Sequence, residues 1–465
     1  MSGPRAVDAS AAGILARLDR LPASRALWKL VILLSGGAVF ELYDLLMTAY
    51  VSPGLVRAGI FEAGHKGFLG LPDQAAFASV TFLGLFLGTI GFSYIADRYG
   101  RRAIFTYALL WYSAATLIMA SQDTRLGVDI WRFIAGIGIG VELVTIDSYI
   151  AELVPKYMRG RAFALNHVVQ FCSVPLAALM GYIFVPIDPF GIQGWRFVAA
   201  FPALAAIAVW WIRRAVPESP RWLAQHGRLA EADRVTAMLE ARVSAETGPL
   251  PPPLPAVRVA EQAKPRFVEI WQPPYRRRTI MMMVFNFCQA IGFYGFASWV
   301  PQLMAAQGAS VTKSLLYSLI TAIASPTIPL LFLLFADRFE RKWQIVAAAF
   351  CTATFGLLFT LSSAPVWLIL CGVVITGSNN LLSYSYHSYQ VELFPTRLRA
   401  RAVGFVYSFS RLSTVVNSFM IAFFLQNFGT TGVFGFIAVA MLVAVISVGV
   451  FGPDTRGRAL EEISG

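Results

Sequence analysis

Cysteine and histidine are both scarce in this chain, four of each among 465 residues. Cys172, Cys288, Cys351 and Cys371 stand at unrelated spacings inside apolar stretches, without the pairing a metal centre needs, so packing is their expected role. Charge is scarce as well: Asp, Glu, Lys and Arg make up 14% of the chain, against about 25% in a soluble domain. The sequence has no nucleophile elbow, phosphate-binding loop or metal-ligand spacing, which leaves no support for an enzyme, a cofactor or a metal. The first 25 residues place Arg17, Asp19 and Arg20 on a weak amphipathic pattern rather than a short apolar core before a small-residue cleavage site, so no cleaved signal peptide is expected.

What is abundant is apolar surface. The chain is 57% hydrophobic with a mean hydropathy of +0.62, more than a soluble fold of this length can bury. Stretches long and apolar enough to span a bilayer as helices recur along its whole length. They predict an all-α membrane protein with twelve transmembrane helices, at residues 29–53, 74–94, 103–120, 128–153, 163–187, 196–211, 279–300, 314–335, 343–361, 366–391, 402–424 and 432–451. Basic residues collect in alternate loops, after spans two, four, eight and ten, which places those loops and both termini in the cytoplasm. The net charge of +12 follows from this bias, and nucleic acid is not an expected partner.

The two halves of the chain repeat one another at a fixed offset. ADRYGRR follows span two and ADRFERK follows span eight, with Asp97 and Asp337 separated by 337 − 97 = 240 residues. AELVPKYMRGRA leaves span four and VELFPTRLRARA leaves span ten, and 392 − 152 again gives 240 for Glu152 and Glu392. The predicted organisation is a cytoplasmic N-terminal segment (1–28), an N-terminal six-helix bundle (29–215), a Pro-containing linker (216–278), a C-terminal six-helix bundle (279–451) and a cytoplasmic tail (452–465). Two bundles related by duplication imply a substrate path between them, with its site near the bilayer midplane.

Six motifs carry a resemblance over nearly the whole chain: GFSYIADRYGRR (91–102), RFIAGIGIG (132–140), AELVPKYMRG (151–160), PESPRWL (217–223), ELFPTRLRA (392–400) and PDTRGRALEE (453–462). The chain resembles the major facilitator superfamily, in its sugar-porter and organic-ion branch. The resemblance implies the major facilitator fold, with its two bundles related by pseudo-two-fold symmetry, and transport by alternating access. It also implies a cytoplasmic gate built from carboxylate and guanidinium groups. The matching residues are Asp97, Arg98 and Arg101, Glu152 with Arg159, Asp337, Arg338 and Arg341, and Glu392 with Arg399.

Charges inside spans cost roughly 2.5–3.5 kcal/mol each on insertion scales, so each should face a cavity or a partner. The first half holds Glu41, Asp44, Arg132, Glu142 and Asp147. Glu41 and Asp44 lie three apart on one helix face, where like charges disfavour double ionisation and favour a held proton. By resemblance to proton-coupled sugar porters, Asp44 and Arg132 form a pair that protonation breaks; a permanent structural ion pair is the alternative. Glu142 is a second proton-site candidate, and the role of Asp147 stays open. Gly136, Gly138 and Gly140 are expected to permit close helix packing.

Arg411, near the middle of span eleven, has Phe171 as its counterpart 240 residues earlier, so its charge departs from the repeat. A lone guanidinium there can receive an anionic substrate bidentately or pair with a first-half carboxylate. Further pocket candidates are Tyr43, His167, Gln170, Phe171, Asn286, Gln289, Tyr294 and Trp299, with Asn380, Tyr384 and His387 on one face of span ten. His167, Asp147 and the QAIGFYG run of span seven depart from the sugar-porter pattern and argue against a sugar. FELYD, GIGVEL and the span-eleven arginine resemble the niacin permease, synaptic-vesicle-2-like and organic-ion transporter group.

These readings converge on a proton-coupled symporter of a small organic anion, an aromatic or heterocyclic carboxylate of nicotinate or benzoate type. The alternatives are an organic cation carrier that uses the intramembrane carboxylates and a proton-driven exporter. The expected partners are the organic ion, protons and the lipid bilayer. The expected setting is a bacterial inner (plasma) membrane, with the chain acting as a monomer.

Overall fold

The computed structural model describes residues 11–62, 72–253, 267–333, 339–394 and 396–454, without the side chains at 90–97, 143–144, 205, 208–210, 213, 329, 332–333, 396–397 and 399–401. A short helix α1 (Ala11–Asp19) precedes α2 (Arg25–Arg57), α3 (Asp73–Tyr99), α4 (Arg101–Ala120) and α5 (Arg125–Leu153), which occupy spans one to four. Span five is divided into α6 (Arg159–Phe171) and α7 (Ser173–Phe184), and span six into α8 (Gly194–Ala200) and α9 (Leu204–Ala215). The linker contributes α10 (Pro220–Gln225) and α11 (Leu229–Thr247). In the second half, α12 (Tyr275–Ala297) runs into α13 (Val300–Ala306), and α14 (Val311–Ala322) into α15 (Ala324–Leu333). They are followed by α16 (Arg341–Phe359), α17 (Pro365–Glu392) and α18 (Thr396–Phe451), the last covering spans eleven and twelve together. Among the described residues, eight helical stretches are long and apolar enough to cross a membrane.

The divisions follow from proline chemistry. Pro175, Pro202 and Pro326 have no N–H to give the carbonyl four residues back, and spans five, six and eight each break within that turn. At Val198 the carbonyl freed by Pro202 is taken up by the Tyr43 hydroxyl, which donates to it at 3.0 Å. Cys172 falls at the break between α6 and α7 and is exposed, whereas Cys288 and Cys371 are buried; the packing role expected of all four cysteines does not extend to Cys172. Within α18 the chain turns at Gly429, which has φ 63°. Phe424 and Phe436 on either side stack at 5.1 Å, so the two arms run back along each other.

Close packing of α3 against α5 depends on glycine. A Cβ on Gly84 would lie 2.3 Å from the Phe133 carbonyl oxygen, and one on Gly140 would lie 2.2 Å from that of Leu85. Any side chain at either position would separate the two helices.

Each half has its own apolar core. One is built from α12, α13, α16, α17 and α18 with a small contribution from α3, and the other from α2–α6 together with α1, α10 and α11. At the end carrying the Arg-rich loops, α1 is tied to the linker: Arg17 pairs with Asp233 and with Glu240, Arg20 with Glu240 at 2.6 Å, and Arg221 with Asp19 at 2.6 Å. At the opposite end the halves meet directly, α7 against α14 and α2 against α13, where Gln302 Nε2 donates to the Ala49 carbonyl at 3.2 Å.

Candidate functional site

Between the halves, displaced toward the Arg-rich end, lies a cavity of about 340 Å³. One wall comes from α2, α5 and α6 through Glu41, Asp147, His167, Gln170 and Phe171. The other comes from α12, α17 and α18 through Gln289, Tyr294, Tyr386, His387, Tyr407 and Arg411. His167 and His387 face each other across the gap with ring centroids 5.7 Å apart.

Arg411 is 3% exposed and is held by two phenols, with Nη2 donating to Tyr407 Oη at 2.8 Å and Nη1 to Tyr294 Oη at 3.4 Å. Its Nε has no partner, and no described carboxylate forms an ion pair with it. Tyr407 lies one helical turn before Arg411, and its ring also carries the guanidinium at 4.9 Å. On the facing wall Glu41 is 1% exposed and its Oε1 has no partner. Asp147 reaches the cavity and accepts a hydrogen bond from Asn166 Nδ2 at 3.3 Å.

Asp44 lies three residues from Glu41 but does not line the cavity. It is fully buried and pairs with Arg132 at 3.0 Å, while Thr116 donates to its second oxygen at 3.1 Å. Arg132 donates also to the Asp44 carbonyl at 2.5 Å, to Thr48 at 2.7 Å and to Thr81 at 3.0 Å. Arg132 is thus fastened to α2 and α3 at once, and the small glycines of α5 allow α3 to come that close. Glu142, one further helix turn from the cavity and fully buried, lies beside the Tyr112 hydroxyl and beside Gly37 of α2, whose Cβ would be 3.5 Å from Glu142 Oε1.

Some sequence candidates stand elsewhere. Tyr43 is spent on Val198, and Asn286 donates to the Met282 carbonyl at 2.9 Å inside its own helix. Trp299 borders a separate hollow, and Asn380 a smaller one that adjoins the cavity at Phe171 and Phe293. On α17 the cavity is lined by Ser383, Tyr386, His387 and Gln390, with Asn380 one turn further along on the adjoining hollow and Tyr384 in neither lining. Tyr386, Tyr407 and Phe293 were not among the candidates; the spacing of four between Tyr407 and Arg411 was the available signal.

The basic end pairs differently from the expected scheme. Glu152 joins Arg101 at 3.1 Å rather than Arg159, and Glu392 joins Arg341. Both pairs obey the repeat, since 341 − 101 and 392 − 152 each equal 240. Glu218 accepts from the backbone amides of Arg101 and Arg102 at 3.0 and 3.1 Å, anchoring the start of α4. Arg98 is exposed beside Tyr99. Asp337 and Arg338 lie outside the described residues, as do the side chains of Asp97 and Arg399. No ion pair between two described residues joins the halves at this end.

The chain matches the family described as "Sugar (and other) transporter" over residues 32–465. It belongs to that family. The transporter is 30% identical to the "Putative metabolite transport protein YyaJ" of Bacillus subtilis (strain 168) over 445 residues, covering 96% of each chain. It is 26% identical to the "Niacin transporter NiaP" of Acinetobacter baylyi over 455 residues, covering 97% of this chain and 99% of that one. Among solved structures, it is similar to a partially occluded inward-open conformation of the xylose transporter XylE from E. coli. That match has a TM-score of 0.74 and 18% identity over 94% of this chain and 100% of that one. The fold is accordingly the all-helical major facilitator fold, and the transporter is an integral membrane protein rather than an enzyme.

Proposed function

We propose that the protein is a proton-coupled symporter of a small organic anion, an aromatic or heterocyclic carboxylate. The observation that carries this reading is Arg411, a buried guanidinium held in the inter-half cavity by phenol hydroxyls and lacking a carboxylate partner. Left empty it is an uncompensated buried cation, and a carboxylate ligand supplies both the missing charge and acceptors for a planar fork of donors. Phe171, Tyr294 and Tyr386 give a ring apolar and aromatic surface. The niacin-transporter relative supports a heterocyclic carboxylate.

Proton coupling is assigned to Asp44 and Arg132, with Glu41 and Glu142 as further proton-holding carboxylates. Protonation of Asp44 removes one charge of the pair that fastens α2 to α5, which gives a proton leverage over the arrangement of the first half. The Arg101–Glu152 and Arg341–Glu392 pairs are assigned to the gate, with the Arg-rich loops and both termini in the cytoplasm of a bacterial inner membrane. In that orientation the cavity is displaced toward the cytoplasm.

A second reading has its own observation: Glu41 and Asp147 line the same cavity, as an organic cation carrier requires. Proteoliposome uptake separates the readings. An inward proton gradient is expected to drive accumulation that nicotinate or benzoate competes for; competition by choline-like cations alone overturns the anion assignment, and efflux against the same gradient identifies an exporter.

A further inference from the structure

The cavity contains one basic and one acidic group with unpartnered atoms, one on each half of the protein. Arg411 of α18 offers an unpartnered Nε. Glu41 of α2, buried to 1% exposure, offers an unpartnered Oε1 and lines the same space. The two form no ion pair with each other, and neither atom has a hydrogen-bond partner. Asp147 stands on the Glu41 side, with Asn166 donating to it and His167 as its cavity neighbour, so Glu41 is the acid left without a donor.

Closing this space excludes water from both charges. A simple anion compensates Arg411 and leaves the acidic wall as it was; a simple cation does the reverse. A simple anion therefore needs a proton on Glu41 before the space can close, whereas a ligand carrying a carboxylate and a cationic or hydrogen-bond-donating nitrogen compensates both groups itself. We infer that the preferred substrate is bipolar, an aromatic or heterocyclic carboxylate whose nitrogen is received by Glu41 with Asp147, which makes these two acids specificity determinants. The inference rests on the reading that Arg411 receives the carboxylate. Its consequence is mechanical as well as chemical: a bipolar ligand touches α18 with one end and α2 with the other, and so binds best when the halves are drawn together around it.

The test is thermal-shift titration of the purified full chain at neutral pH with three matched probes: the zwitterion 3-(aminomethyl)benzoate, the anion 3-ethylbenzoate and the cation 3-methylbenzylamine, with the 2- and 4-substituted isomers covering ligand length. The best zwitterion is expected to bind at least about tenfold more tightly than its anionic isostere, a ratio of the size one charge-assisted hydrogen bond supplies. Glu41→Gln, combined with Asp147→Asn, is expected to reduce that ratio to within about threefold. Equal binding of zwitterion and anion by the unmodified protein overturns the inference and leaves the anion reading standing, as does a preference that survives the double substitution. Binding of the cation alone, or of none of the three, overturns the anion reading itself.

Discussion

Arg132 and Asp44 meet at 3.0 Å with no exposure of either side chain, one helix layer behind the cavity and out of contact with it. An ion pair so placed can sense a proton without touching the substrate. Asp44→Asn is therefore expected to abolish proton-driven accumulation, the internal to external ratio falling to one, while substrate exchange in counterflow persists. Arg132→Ala removes the counter-charge instead and is expected to destabilise the protein by about 3–5 kcal/mol. Accumulation and counterflow measured on the same vesicles decide it; an Asp44→Asn protein that still concentrates substrate removes Asp44 from the coupling step.

Arg411 is expected to govern affinity rather than folding. Loss of hydrogen bonds from a charged donor is worth about 1.5–3 kcal/mol, so Arg411→Ala should weaken carboxylate binding by roughly tenfold or more. Arg411→Lys should recover only part of it, because an ammonium group cannot present the planar fork. Titration of both variants with benzoate, beside their melting temperatures, separates lost recognition from lost structure.

Much of this arrangement is visible in the residues alone, and the remainder is hidden for identifiable reasons. The spans and the Arg132 motif are written in local composition and spacing. The partner of Glu152 is not, because Arg101 lies in a different loop 51 residues away and Arg159 is nearer in sequence. On α17 the polar residue types suggest the face Asn380, Tyr384 and His387, but His387 alone of the three lines the cavity, with Ser383, Tyr386 and Gln390, while Asn380 lines the adjoining hollow. Polar type alone cannot fix helix rotation in a bundle whose interior is polar in more than one place. Glu41 and Asp44, read together as one acidic site, are divided by the rotation of α2: one lines the cavity and the other meets Arg132.

The glycines provide a sharp contrast for stability. Gly140→Ala brings a methyl against the Leu85 carbonyl at the α3–α5 contact and is expected to cost about 1–3 kcal/mol, since backbone cannot yield as a side chain does. Gly36→Ala, with nothing within 4 Å of its Cβ, is expected to be neutral or to stabilise by about 0.5–1 kcal/mol through helix propensity. Melting temperatures of the two variants measured side by side test the argument.

The cap at the Arg-rich end should make stability depend on acid. Burial acts to raise the Glu240 carboxyl, but hydrogen bonds and charge from Arg17 and Arg20 outweigh it and hold the group below its ordinary value. A carboxyl depressed on folding contributes stability that is complete above its unfolded value of about 4.3 and is lost as pH falls through the lower folded value. Melting temperature followed from pH 7 downward should therefore fall below about pH 4.3 more steeply in the unmodified protein than in Glu240→Gln. Parallel curves would show that Glu240 is not linked to folding.

The turn at Gly429 bears on how the chain enters its membrane. With span eleven joined to span twelve through a single left-handed glycine and no loop, the two arms of α18 reach the bilayer as one hairpin. Span eleven carries Arg411, a charge that opposes partitioning into lipid. Its companion arm, 432–451, carries no Asp, Glu, Lys or Arg. The residue assigned to grip the substrate is therefore expected to enter the bilayer with the help of its neighbour, and lengthening the turn at 429 should leave span eleven to insert on its own strength.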